Sequence, residues 1–246
     1  MPAVLYEKKE QIAYITLNRP EVHNALDAEV VVRLAEAWQD FASDDSLRVA
    51  IVTGAGERAF SAGADLRKLI PLMSGARQPE DEWDHKFMGD RSLVNAALLR
   101  RVELYKPVIA AINGFCLAGG TELIQATDIR IAAEHATFGL TEVKRAIIPG
   151  AGSMVRLPRQ VPFCKAMEIL LVGDSMTAVE AHRIGLVNYV VPGGELMTTA
   201  EEFARKIADN GPLAVRKIKE TVRKALGRPT AEGYALEAEA TRFISR

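Results

Sequence analysis

The chain has 246 residues, with 31 Lys plus Arg against 32 Asp plus Glu and a formal charge of −1 at neutral pH. Hydrophobic residues make up 48% and charged ones 26%, the balance of a globular chain, which excludes a disordered one. A protein whose affinity came mainly from neutralising phosphates would be basic, so nucleic-acid binding as the main task is excluded as well. Cys116 and Cys164 provide neither a disulfide framework nor a paired zinc motif, and His23, His85, His135 and His182 fall in no metal-ligand spacing. Glu7, Lys8, Lys9 and Glu10 interrupt any signal-peptide core, and the charge-free stretch 107–121 is too short and too glycine-rich to span a membrane. The expectation is a reduced, cytoplasmic α/β protein without a metal site.

In chain order, 12–18 alternates apolar and polar positions as a strand and ends at Arg19-Pro20. Asp27 reads as the N-cap of an amphipathic helix carrying Val30, Val31, Leu34, Trp38 and Phe41. Short apolar runs at 49–53 and 108–112 read as buried strands, each closed by a glycine turn, and 128–132 as a third. Segment 72–92 has the weakest pattern and reads as a loop or a short helix pair, with Trp83, Phe87 and Met88 at helical spacing. After Gly150 come an interrupted helix over 154–171, a helix capped by Thr177, and a last strand over 186–191. Three helices follow, at 196–209, 212–226 and 231 onward. The division is therefore a mixed core over 1–191 and a helical region over 192–246.

Gly54-Ala-Gly56-Glu-Arg-Ala59 matches the dinucleotide-binding pattern, but that chemistry needs a helix to start at the turn. Phe60-Ser-Ala-Gly63 has no helical period, so the match is set aside. More telling are two small-residue turns that each lead to an acid, 61–65 (SAGAD) and 118–122 (AGGTE). Turns of this kind leave backbone N–H groups free, and two of them aimed at one point form an oxyanion hole. Tight strand–helix packing, with Asp65 as a plain N-cap, yields the same pattern and is the commoner cause. Glu122, among apolar neighbours, and Glu142 are the candidate acid and base, although glutamates are also ordinary at helix starts. The basic run Lys217, Lys219, Arg223, Lys224 and Arg228 reads as a solvated helix face, and Cys116 as a small buried residue.

These residues together resemble the crotonase superfamily, the enoyl-CoA hydratase/isomerase family. The resemblance runs through Asn18-Arg19-Pro20 with Asn24-Ala25-Leu26, then 59–66 (AFSAGADL), 106–114 (KPVIAAING), 118–123 (AGGTEL) and 148–152 (IPGAG). It implies a superhelix of ββα units followed by a helical trimerisation region, assembled as a homotrimer or a dimer of trimers. It further implies an acyl-CoA thioester substrate whose enolate is held by the backbone N–H groups of Ala64 and Gly119. Ala62, Asp65, Leu66, Arg67 and Gly150 fall at substrate-binding positions. By the same resemblance Glu122 activates water at C3 and Glu142 protonates C2, with no cofactor beyond the coenzyme A of the substrate. The implied reaction is hydration of a 2-trans-enoyl-CoA. An isomerase or a dehydratase of a functionalised acyl-CoA, and a non-catalytic acyl-CoA binder, are the alternatives.

Overall fold

A computed structural model of the chain describes residues 1–100 and 102–245. It opens with an antiparallel pair, β1 (Val4–Lys9) and β2 (Ile12–Leu17), that the sequence reading caught only in its second half. Helix α1 (Ala28–Ser43) follows, capped by Asp27, whose carboxylate accepts the Val30 N–H at 3.0 Å. Next come β3 (Val49–Gly54), β4 (Ala59–Ser61), α2 (Leu69–Ser74), α3 (Glu82–Gly89) and α4 (Leu93–Ala97). The weakly patterned stretch is thus a run of short helices. The chain continues through β5 (Val108–Ile112), β6 (Phe115–Leu117), α5 (Gly119–Ile124), β7 (Ile129–Ala133) and β8 (Thr137–Gly139). A 3-10 turn at Thr141–Arg145 leads into α6 (Ser153–Arg156), α7 (Phe163–Val172), β9 (Met176–Thr177), α8 (Ala178–Arg183) and β10 (Tyr189–Val191). Three helices complete the chain: α9 (Leu196–Ala208), α10 (Pro212–Ala225) and α11 (Thr230–Ile244).

The strands fall into two sheets that explain the winding. β1-β2-β3-β5-β7-β10 form the larger, parallel from β2 onward, and β4-β6-β8-β9 the smaller. β3, β5 and β7 each turn sharply into a short strand of the other sheet, β4, β6 and β8, and a helix or connecting segment returns the chain to the next long strand. Every circuit therefore stacks on the one before. The stack is pinned at its corners by side-chain amides, because bends of this kind leave backbone carbonyls without sheet partners. Asn24 Nδ2 donates to Ala55 O and Ala59 O, and Asn113 Nδ2 donates to Gly54 O and Gly56 O.

β4 starts at Ala59, where a dinucleotide-binding unit would start its helix. The residue that a helix N-terminus would present to a pyrophosphate is instead paired in a strand with β6.

Helix α1 buries Trp38 and Phe41 against the main core, and the indole N–H of Trp38 reaches Ala97 O at 3.0 Å. Opening either side chain to alanine would cost about 3–5 kcal/mol on the usual large-to-small scale. On the other face of the large sheet, Leu196, Ala200, Ala204 and Ala208 of α9 pack on Val49, Ile51, Ile109, Ala111 and Ile131. Alanines four residues apart let this helix sit close to the strands. α10 and α11 bury no residue completely. The basic run on α10 is not uniformly solvated as expected: Lys219 turns inward to Asp128 and Lys106 O, and Arg223 reaches Leu104 O. Burial beside a carboxylate with a free lone pair wins over solvation there. Among the described residues, no helix is long and apolar enough to cross a membrane.

Candidate active site

The two small-residue turns meet. At the first, Leu26 pairs with Ala64 as an isolated parallel bridge: the Leu26 N–H donates to Gly63 O and the Asp65 N–H donates to Leu26 O, both at 2.8 Å. In that geometry the N–H of Ala64 points away from Leu26. At the second, Gly119 opens α5, so its N–H has no intrahelical acceptor. The gap between the turns is narrow. A methyl placed on Gly63 (φ +86°) would lie 2.9 Å from Gly119 N and 2.6 Å from the Ala118 methyl. Two N–H groups from different circuits, neither with an acceptor among the described residues, therefore lie close together, Ala64 N being 3.7 Å from where a Cβ on Gly119 would sit.

Ser61 and Asp65 hold the first turn in shape. Ser61 Oγ donates to Asn24 O and accepts the Gly63 N–H. The Asp65 carboxylate accepts N–H bonds from Arg67 and Lys68 and one from the guanidinium of Arg19, which also reaches Asp27. Burial opposes ionisation of Asp65, but these three donors outweigh it and hold the carboxyl below its ordinary range. Its side chain is thus committed to the fold, and any contact of this residue with a ligand falls to its backbone. Ala62 is half-buried, with its N–H on His23 O, while Leu66 and Arg67 are exposed on the rim. Gly150 is exposed, its carbonyl bound by Arg100 at 2.7 Å.

At the second turn Ala118 holds a left-handed backbone (φ +48°, ψ −120°), a region costly for any residue with a side chain. Relief of that strain, about 1–3 kcal/mol, exceeds the value of one methyl, about 0.8 kcal/mol. Ala118→Gly is therefore expected to raise the melting temperature, which a thermal unfolding curve checks.

The acids lie one turn further on. Glu122 sits in α5, 4% exposed, and its Oε1 accepts N–H bonds from Ala151 (2.7 Å) and Ser153 (3.2 Å). Burial raises its pKa to about 7; repulsion from Glu142 adds to the rise, and the two N–H bonds and Arg156 moderate it. Glu142, on the 3-10 turn, is 7% exposed, burial pushes it up as well, and its Oε2 has no hydrogen-bond partner among the described residues. The carboxyls interact, so they titrate as a pair that keeps one proton up to about neutral pH. A pair holding one proton and one charge can take a proton from one reactant atom while giving one to another. Glu142→Gln removes the repulsion, so the Glu122 titration is expected to move below about 7; an infrared titration of the carboxyl band reads the shift.

Several supports of the site carried no sequence signal. The Ala151 and Ser153 N–H groups lie in a segment whose resemblance pointed only to Gly150, and Gln125, which donates to Ser153 Oγ at 3.0 Å, is singled out by no pattern. Phe87 and Leu69 are core, while Trp83 is partly buried beneath the Arg33 guanidinium. Cys116 is fully buried and packed under Thr121, and burial pushes its thiol up.

With this geometry in place, the likeness to known proteins has a physical basis. The family model described as enoyl-CoA hydratase/isomerase matches residues 7–245. The chain is 39% identical over 238 residues to enoyl-CoA hydratase EchA19 of Mycobacterium tuberculosis, covering 97% of this chain and 86% of that protein. It is 42% identical over 223 residues to carnitinyl-CoA dehydratase of Salmonella arizonae, covering 91% and 81%. The crystal structure of an enoyl-CoA hydratase from Bacillus anthracis superimposes with a TM-score of 0.86 at 39% identity, covering 98% of this chain and 90% of that one. The protein belongs to the enoyl-CoA hydratase/isomerase family, the crotonase superfamily.

Proposed function

We propose that the protein adds water across the 2-trans double bond of an enoyl-CoA thioester to give the 3-hydroxyacyl-CoA. The observation that carries this reading is a pair of buried carboxyls, both with raised pKa, in a chain whose two small-residue turns bring the Ala64 and Gly119 backbone nitrogens close together. The thioester oxygen sits between the Ala64 and Gly119 N–H groups, which gain strength as it becomes enolate-like; each such donor is typically worth about 3 kcal/mol of barrier. Of the two singly protonated forms of the coupled pair, the reactive one carries its proton on Glu142: Glu122 takes a proton from the water that attacks C3, and Glu142 gives its proton to C2. The pair ends with its proton moved from one carboxyl to the other, and exchange with solvent resets it. Microscopic reversibility lets the same pair dehydrate a 3-hydroxyacyl-CoA, a direction favoured by the likeness to a carnitinyl-CoA dehydratase.

In this reading Ala62, Asp65, Leu66, Arg67 and Gly150 line the path of the coenzyme A portion, which the substrate itself brings, and no further cofactor is required. The protein works in the cytoplasm as a homotrimer or a dimer of trimers. Support for assembly comes from apolar side chains left exposed on α10 and α11, among them Leu213, Ile218, Val222, Tyr234 and Phe243.

The test is the loss of enoyl-thioester absorbance with 2-trans-enoyl-CoAs of increasing length. Turnover on 3-enoyl-CoA alone would replace the reading by an isomerase. Tight acyl-CoA binding in a calorimeter without product would replace it by a binder.

A further inference from the structure

We propose that Arg156 is a positioning residue for the reaction, locking Glu122 and the loop that holds its carboxyl into one rigid unit. The proposal rests on the hydratase reading for its kinetic consequence, though not for its geometry.

The guanidinium gathers three carbonyls from distant parts of the chain. Nη1 donates to Leu98 O and to Glu122 O, each at 3.3 Å, and Nη2 donates to Leu99 O at 2.6 Å. Its flat face lies against Gly152 (φ +133°), where a Cβ would fall 3.1 Å from Nη1. Gly152 lies between Ala151 and Ser153, the two donors to the Glu122 carboxyl. Arg156 therefore grips Glu122 by its main chain and, from the other side, the loop that grips its side chain. It also holds Leu99, which adopts a left-handed backbone (φ +50°).

Nothing else in its surroundings accounts for a charged group there. Among the described residues no carboxylate lies within ion-pair distance of the guanidinium. Arg100 and Arg223 face it as further positive charges. Burial and those two neighbours lower its pKa to about 10, Glu122 opposing, so it remains charged at neutral pH. An incompletely compensated charge is costly in a half-buried position. Here its field favours the ionised form of Glu122, which otherwise faces only the like charge of Glu142. A planar fork suits this task and a lysine does not, because one ammonium cannot span three carbonyls in a fixed plane.

The test compares R156M and R156K with the wild type, using but-2-enoyl-CoA and an infrared titration of the Glu122 carboxyl, its band assigned by loss in E122Q. Misplacing a catalytic group by about 1 Å typically costs about 10²-fold, so R156M is expected to lose about 30- to 100-fold in kcat with KM within about threefold. Its Glu122 midpoint moves upward from about 7, because an attracting charge has gone while Glu142 remains. R156K keeps the charge and loses the fork: kcat falls about tenfold on the same scale and the midpoint stays. If R156M does not fold, R156K alone decides, and wild-type kcat in that variant overturns the proposal. Wild-type kcat and an unmoved band in a folded R156M overturn it equally. If the wild type hydrates no enoyl-CoA while the band still moves in R156M, the hydratase reading fails and the positioning of Glu122 stands.

Discussion

Glu122→Gln is expected to lower kcat by at least about 10²-fold, the usual reach of general acid–base catalysis, and at pH 8 to make the protein more stable. The two effects have one cause. Burial raises the Glu122 pKa from an ordinary 4.5 to about 7 in the folded state. Between those values the folded chain keeps a proton that the unfolded chain has released. The stability linked to this proton is complete below about 4.5 and is lost as the pH rises through about 7. At 1.36 kcal/mol per unit, the loss reaches about 3 kcal/mol. Glutamine keeps an oxygen for the Ala151 and Ser153 N–H groups and never ionises, so it escapes the loss. Urea unfolding of both proteins at pH 4 and pH 8 measures this, with a difference expected only at the higher pH. A glutamine variant that is active, or that is less stable at pH 8 than at pH 4 relative to the wild type, removes Glu122 from the mechanism or from its buried state.

Gly63→Ala is the second large effect. The new methyl would lie 2.6 Å from the Ala118 Cβ and 2.9 Å from Gly119 N, on a backbone with φ +86° that side chains rarely adopt. The turns must part, and the proposed joint hold of the Ala64 and Gly119 N–H groups on one oxygen is then lost. Losing one oxyanion donor typically costs about 10²–10³ in rate, and left-handed strain adds about 1–3 kcal/mol of destabilisation. The expected result is a fall in kcat/KM of at least about 10²-fold with a lowered melting temperature. The double variant Gly63→Ala/Ala118→Gly removes the 2.6 Å clash but leaves the backbone of Gly119 and Leu117 at 2.9 and 3.0 Å from the methyl, so it should recover part of the stability and little of the rate. A single variant with near-wild-type kcat/KM would show that the two N–H groups are not paired in catalysis.

Much of the backbone plan was readable from local pattern. Strands β2, β3, β5 and β7 are continuous apolar or alternating runs, and α1 carries its cap and its apolar stripe in full, because both signals are set within a few residues. The short strands β4, β6 and β8 escaped notice. Three-residue strands have no period to detect, and each exists only because a neighbouring circuit supplies its partner. β1 was missed for a related reason, its outer half being charged and exposed.

For the site the division follows the same physics. Residue type and spacing in the chain marked the two turns and the two glutamates, since close backbone approach needs small residues and proton transfer needs carboxyls. Only the tertiary structure decided that the turns lie against each other, that Asp65 spends its carboxylate on Arg19, and that Ala151, Ser153 and Arg156 surround Glu122. Convergence, burial and the charge they shift depend on groups up to 58 residues apart in the chain, and local pattern holds no record of such distances.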